Sequence, residues 1–249
     1  MNENTREQIR AILIGCVNGV FRRMAESRSY RPFHEALLSK EVIKASAFER
    51  SFSTSFGQGP VEQISRILAN DNGGEAERQK ETMVNIYKGA LDQIERILSD
   101  LRNGSRTPNW KNEIKTILAF NRGETEVRRV LSDLYIKKND KEIFISIKTV
   151  KPNLDQTEIA KRDLFLLKAN NPNCETYFGL FYNPDGPNRE DYSWLIPSKL
   201  FDMRKDECVL IGKDYWDMIG GDGSYEELLL IFAEVGEITI ERLKNYSSV

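Results

Sequence analysis

The stretch that decides the fold is Val130-Leu131-Ser132-Asp133-Leu134-Tyr135-Ile136-Lys137-Lys138-Asn139-Asp140-Lys141-Glu142-Ile143-Phe144-Ile145-Ser146-Ile147-Lys148-Thr149-Val150. Two β-rich runs, Val130 to Ile136 and Ile143 to Val150, flank a polar segment, which is a hairpin signal. A two-residue turn at Asn139-Asp140 sets Asp133 opposite Ser146 and Leu131 opposite Lys148. Side chains alternate with period two, so a carboxylate, a hydroxyl and an amine converge on one sheet face. Leu134, Ile136, Ile143, Ile145 and Ile147 then fill the other face. A three-residue loop would shift this register by one.

Working outward, the first third of the chain reads helical. Apolar residues from Arg6 to Met24 recur close to a 3.6 period, and Phe33 to Ala47 reads as a second helix or helix pair. Phe48 to Gly57 is polar and aromatic without a clean period. Pro60 opens the next helix, and Glu75 to Leu101 reads as one long amphipathic helix. Beyond the hairpin, Pro152-Asn153-Leu154-Asp155 turns into a helix from Thr157 to about Lys168. Thr176 to Tyr182 and a short run at Ser193 to Ile196 read as strands, Tyr215 to Met218 and Tyr225 to Phe232 as helices. The order suggests one α/β domain, with a helical N-terminal part over 1–110 and a core over about 111–235.

The 249 residues suffice for a sizeable core without disulfide or metal staples. Composition is that of an ordinary globular chain: 40% hydrophobic, 10% aromatic and 30% charged. Net charge is −2, but the chain from Asp206 onward carries −7, leaving a body at +5. Cys16, Cys174 and Cys208 are unclustered and provide neither a disulfide framework nor a zinc spacing. His34 is the only histidine, which excludes two-histidine metal sites and makes a histidine-activated nucleophile depend on one residue. The polar N-terminus and the lack of any run near ~20 apolar residues lead us to expect a cytoplasmic protein without signal peptide or membrane span.

An Asp followed on the neighbouring strand by acid-x-Lys is the layout of metal-dependent nucleases. Carboxylates there hold Mg²⁺, a hard cation that prefers oxygen, and the lysine orients or deprotonates a water. The competing reading is a strand pair that merely exposes Asp133 and Lys148. The segment Lys148-Thr149-Val150-Lys151-Pro152-Asn153-Leu154-Asp155-Gln156 resembles a motif of the TdeIII/MjaII type II restriction endonucleases, in which a Lys-Pro-Asn-x-x-Gln turn follows the acid-x-Lys strand. Phe48-Glu49-Arg50-Ser51-Phe52-Ser53-Thr54-Ser55-Phe56-Gly57 and Asp214-Tyr215-Trp216-Asp217 are similar to two further segments of that family.

The resemblance implies a PD-(D/E)xK core: a restriction-endonuclease-like mixed β-sheet flanked by helices, with an edge hairpin carrying the site. It implies Mg²⁺ dependence, double-stranded DNA cut at a palindrome (GGNCC), a homodimer and a companion DNA methyltransferase. It makes Asp133 the first metal ligand, the Ile147 carbonyl a second, and Lys148 the catalytic lysine. Ser146 departs from the pattern, which has Asp or Glu there. Some restriction enzymes with Ser-x-Lys recruit a glutamate from the following helix, making Glu158 the candidate; alternatively Asp155-x-x-Glu158 is a capping box. Glu142 shares the strand-face parity but lies about 13 Å away along the strand, too far to serve. Glu62 matches a helix-borne acid of the superfamily, or is a first-turn acid favoured by the helix dipole.

Residues 137–168 hold eight basic and five acidic residues, enough local charge for phosphate contacts. Lys151, Asn153, Gln156, Lys161 and Arg162 are DNA-contact candidates there, with a solvated helix face the alternative for Lys161 and Arg162. Arg50, Ser53 and Thr54 are candidates from the upstream segment, or helix-capping and packing residues. The readings that compete with a site-specific endonuclease are a structure-selective or repair nuclease of the same fold and a catalytically inactive DNA-binding module.

Overall fold

The computed structural model describes residues 1–26, 30–57 and 59–247. Its framework is a mixed five-stranded sheet in the order β1 (Glu75–Tyr87), β2 (Thr125–Lys138), β3 (Lys141–Lys148), β4 (Glu175–Leu180) and β5 (Val209–Ile211). β1, β2 and β3 pair antiparallel, whereas β3, β4 and β5 run parallel. Around it lie α1 (Glu3–Glu26), α2 (Pro32–Leu37), α3 (Lys40–Gly57), α4 (Pro60–Asp71), α5 (Lys88–Arg102), α6 (Trp110–Leu118), α7 (Leu154–Asn170), α8 (Lys213–Gly220) and α9 (Ser224–Ser247). This is an α/β fold of the restriction-endonuclease-like kind.

The β2–β3 hairpin turns in two residues. Asn139 and Asp140 both hold left-handed backbone, with φ of 49° and 61°, as a type I′ turn requires. Ile136 therefore faces Ile143 and Leu134 faces Ile145, the register that brings Asp133 level with Ser146. The three-residue alternative is excluded.

Glu75 to Leu101 is not one helix. Its first half is β1, laddered to β2 from Glu75↔Lys137 to Tyr87↔Thr125, and only Lys88–Arg102 is helical. The Glu, Arg, Gln and Lys residues that open the segment favour helix, but a long ladder, interrupted at Gln79, outweighs that weak preference. The consequence for the site is direct: β1 is the outer strand, and the β2–β3 hairpin lies inside the sheet rather than at its edge. Alternate exposed charges on β1, among them Glu75, Glu77 and Glu81, suit an edge strand.

Other boundaries also move. Phe48–Gly57 continues α3, Ser193–Ile196 forms no strand, and β5 and α6 lie in segments where the sequence suggested none. α7 starts at Leu154, and its capping box is Asn153 with Gln156, not Asp155 with Glu158. Asn153 accepts from the Gln156 N–H at 2.8 Å. His34 lies exposed on α2, a helix with no buried residue.

Each sheet face carries its own core. α5, α6 and α7 cover one, with Trp110, Phe144, Phe165, Phe178 and Phe201 at its centre. α1, α4, α8 and α9 cover the other, over Leu134, Ile136 and Ile145, with Ile143 and Ile147 packed at its margin. Gly179 on β4 lets the Tyr215 ring approach, since a Cβ there would lie 2.7 Å from the ring. Tyr215 in turn shares a 2.7 Å hydrogen bond with Ser65 of α4. The acidic C-terminal segment meets basic groups at the start of the chain: Glu234 pairs with Arg6 and Arg10 of α1, and Glu227 with the Met1 amine. Among the described residues, no helix is long and apolar enough to cross a membrane.

Candidate active site

The site forms where β2 and β3 end their shared ladder. The last paired level is Leu134↔Ile145; beyond it the Asp133 side chain takes the place of a backbone partner. Its Oδ2 accepts from the Ile147 N–H at 2.7 Å, from Lys148 Nζ at 3.0 Å and from Ser146 Oγ at 3.3 Å. Lys148 Nζ also reaches the Ile147 carbonyl at 3.3 Å. Asp133 and Lys148 each keep 21% of their side-chain surface open, so the pair is sheltered yet reachable. On β1, Gln79 lies level with Asp133 and has left-handed backbone, φ 53°.

Ser146 is only 7% exposed, and its hydroxyl serves to orient Asp133. Glu158 is held elsewhere. It accepts from Arg102 at 2.6 Å and from Arg162 at 2.9 Å. Burial pushes its pKa up, but these two guanidinium hydrogen bonds outweigh burial and hold it below the ordinary glutamate value. Neighbouring Asp155 accepts from the same Arg102 at 2.9 Å, so both acids tie α7 to α5. Glu62, in the first turn of α4, accepts from Arg78 Nε at 3.2 Å and Gln79 Nε2 at 3.0 Å. It thus braces the strand beside Asp133.

The sequence reading missed Asp163. This α7 carboxylate lies within the fields of Lys148, Arg162 and Asp133. Burial pushes its pKa up to about 6, with repulsion from Asp133 adding to the rise and Lys148 and Arg162 opposing it. It lines a cleft of about 580 Å³ together with Lys88, Arg128, Arg129 and Arg162. Helix geometry separates it from Glu158: five residues carry the chain through about 140°, so the two acids leave α7 in different directions. Knowing that α7 packs on β2 and β3 would have singled it out, and that needed the sheet order.

The DNA-contact candidates scatter. Lys161 is 0% exposed, ion-paired to Glu113 at 2.7 Å and bonded to the Leu200 carbonyl. Its ammonium lies among Trp110, Phe165 and Phe201, so it is neither a DNA contact nor part of a solvated face. Asn153 and Gln156 spend their side chains on the α7 cap. Lys151 is half exposed, 3.9 Å from Asp185 and over the Trp194 ring. Arg162 is committed to Glu95 and Glu158. Arg50, Ser53 and Thr54 are exposed on α3, with the Ser53 hydroxyl donating to Glu49 at 2.7 Å.

A mixed sheet that brings an aspartate, a main-chain carbonyl and a lysine together at the end of a central hairpin defines the class: a restriction-endonuclease-like protein. The chain belongs to the HinfI family, described as "Type II restriction endonuclease, HinfI", whose model matches residues 1–236. It is 31% identical over 214 residues to the type II restriction enzyme HgiCII of Herpetosiphon aurantiacus, covering 83% of this chain and 77% of that one. HgiBI of the same organism is 29% identical over 221 residues, covering 86% and 80%. The type II restriction enzyme MjaII of Methanocaldococcus jannaschii is 30% identical over 225 residues, covering 77% of this chain and 58% of the relative. The similarity to MjaII agrees with the resemblance carried by the Lys148–Gln156 motif.

Proposed function

We propose that this chain is a Mg²⁺-dependent, site-specific endonuclease that hydrolyses both strands of duplex DNA at a short palindrome. The observation that carries this reading is the convergence of Asp133, the Ile147 carbonyl and Lys148 within hydrogen-bond reach of one another. GGNCC is the site expected from the resemblance. The same reading makes the working unit a homodimer in the cytoplasm, with one centre for each strand and a companion methyltransferase protecting the host's own sites.

The donor set suits the metal. All three hydrogen bonds to Asp133 fall on Oδ2, and among the described residues no donor occupies Oδ1. Oδ1 and the neighbouring carbonyl are hard oxygen donors of the kind Mg²⁺ takes. When bound, Mg²⁺ supplies charge stabilisation at the scissile phosphate and a lowered pKa for the attacking water. Lys148 offsets phosphate charge and holds the water, its Nζ fixed between Asp133 and the Ile147 carbonyl. Ser146 keeps Asp133 from rotating.

The test is digestion of a long, sequenced DNA by purified protein, with Mg²⁺ or with EDTA, beside Lys148→Ala. Discrete Mg²⁺-dependent fragments ending at one palindrome support the proposal and name the site. A smear favours a nonspecific or structure-selective nuclease. Ser146, standing where an acid is expected, favours one further reading, a DNA-binding module without catalysis; binding without cutting would select it. Neither binding nor cutting would sink the nuclease reading.

A further inference from the structure

We propose that Gln79 is a positioning residue of the nuclease centre: its left-handed backbone exchanges the two faces of the β1–β2 ribbon at the level of Asp133 and thereby turns that carboxylate toward Lys148. This inference rests on the nuclease reading above. Among the described residues, three besides glycine hold left-handed backbone. Asn139 and Asp140 need it for their turn, but Gln79 lies in mid-strand with no turn to make. Such a conformation is costly for a residue with a Cβ and persists where the surroundings fix it, often beside functional groups.

The surroundings of Gln79 show what its conformation does. The β1–β2 register runs through Arg78↔Leu134 and Lys80↔Ser132 and omits the level between them, that of Gln79 and Asp133. An unbroken strand would send Arg78 and Gln79 to opposite faces, yet both donate to Glu62 of α4, at 3.2 and 3.0 Å. Lys80 then lies on the other side, its amine 5.3 Å from the centre of the Tyr135 ring. β2 changes faces at the same level. Leu134 and Ile136 pack in the α4 core, whereas Val130, of the same parity, packs in the α7 core with Val84 and Ile86 of β1. Ser146 and Lys148 share the strand face of Phe144, which also packs in the α7 core. Were alternation unbroken from Val130, Asp133 would face α4 and miss them both. The exchange at Gln79 lets one ribbon bury Val130 and still bring Asp133 to Lys148 Nζ at 3.0 Å and to Ser146 Oγ at 3.3 Å.

The experiment compares the full chain as parent, Gln79→Gly, Gln79→Val and Asp133→Asn, cutting with Mg²⁺ at the palindrome mapped by digestion. Glycine takes left-handed backbone freely, whereas β-branched valine favours a regular strand. We expect Gln79→Val to lower kcat at least tenfold, with KM and metal-free duplex affinity within twofold of the parent. Gln79→Gly, which keeps the backbone and loses the amide, should rescue kcat to within threefold and melt at or above the parent temperature. Gln79→Thr serves as the second β-branched variant should Gln79→Val fail to fold. Parent-like kcat in a folded β-branched variant, with Asp133→Asn inactive, overturns this inference and leaves the nuclease reading standing. Gln79→Gly as impaired as Gln79→Val overturns it too, by assigning the effect to the lost side chain. Parent-like cleavage by Asp133→Asn, or no cleavage by the parent, overturns both.

Discussion

Lys148 and Asp133 meet amine to carboxylate at 3.0 Å across neighbouring strands, with the Ile147 carbonyl 3.3 Å from the same amine. Two oxygens therefore hold the amine end of a largely covered side chain. Lys148→Ala should lower the cleavage rate about 10²–10⁴-fold, the range for loss of a positioned proton-transfer group. Duplex binding measured by gel shift without Mg²⁺ should persist. Loss of binding together with cleavage would mean that Lys148 chiefly holds DNA.

Asp133 has a structural duty besides its chemical one, because it accepts the Ile147 N–H at 2.7 Å. Asp133→Asn keeps an oxygen for that N–H, whereas Asp133→Ala leaves it without a partner. Both variants should lose cleavage. Only Asp133→Ala should also lose about 1–3 kcal/mol of stability, read from urea unfolding midpoints.

Glu158 predicts an acid-sensitive contribution to stability. Its folded pKa is depressed, against the pull of burial, by Arg102 and Arg162. A depressed carboxylate stabilises the fold above its ordinary titration range, and the contribution disappears as pH falls through the lower folded value. Glu158→Gln should cost about 1 kcal/mol at pH 7, a modest figure because Arg102 is partly solvated. The gap between parent and variant should close below about pH 4. Thermal melts from pH 7 to pH 3 would check this, and a gap that widens on acidification would refute it.

The Lys161–Glu113 pair lies in the core at 0% and 2% side-chain exposure. Removing one partner strands a buried charge, so Glu113→Ala should cost about 3–5 kcal/mol. Replacing both, as Lys161→Met with Glu113→Leu, should recover most of that loss. Duplex affinity of the double variant should match the parent, in line with a lysine that never reaches solvent.

The hairpin was legible because period-two alternation and Asn-Asp turn chemistry are local. Asp133, Ser146 and Lys148 followed from counting alone. β1 was not legible: Glu75 to Lys80 is made of helix formers, and only the partner strand from Thr125 makes it a strand. The hairpin's interior position was lost with it. Lys161 misled for a related reason, since its charge argues for solvent while Glu113, Trp110 and Phe201, remote in sequence, draw it inside with Phe165 of its own helix.

Asn139 and Asp140 stand exposed at the tip of the hairpin, away from the chemistry, yet they set which side chains meet it. Exposed tips are ordinarily where a chain absorbs insertions without penalty. A single added residue would be taken up by a three-residue loop, with β2 and β3 keeping their pairs and faces. What the tip sets is the starting register: without its two left-handed residues the same sequence would close on a longer loop, and Asp133 would lose its level with Ser146. The hairpin thus behaves as a ruler whose zero mark lies outside the site.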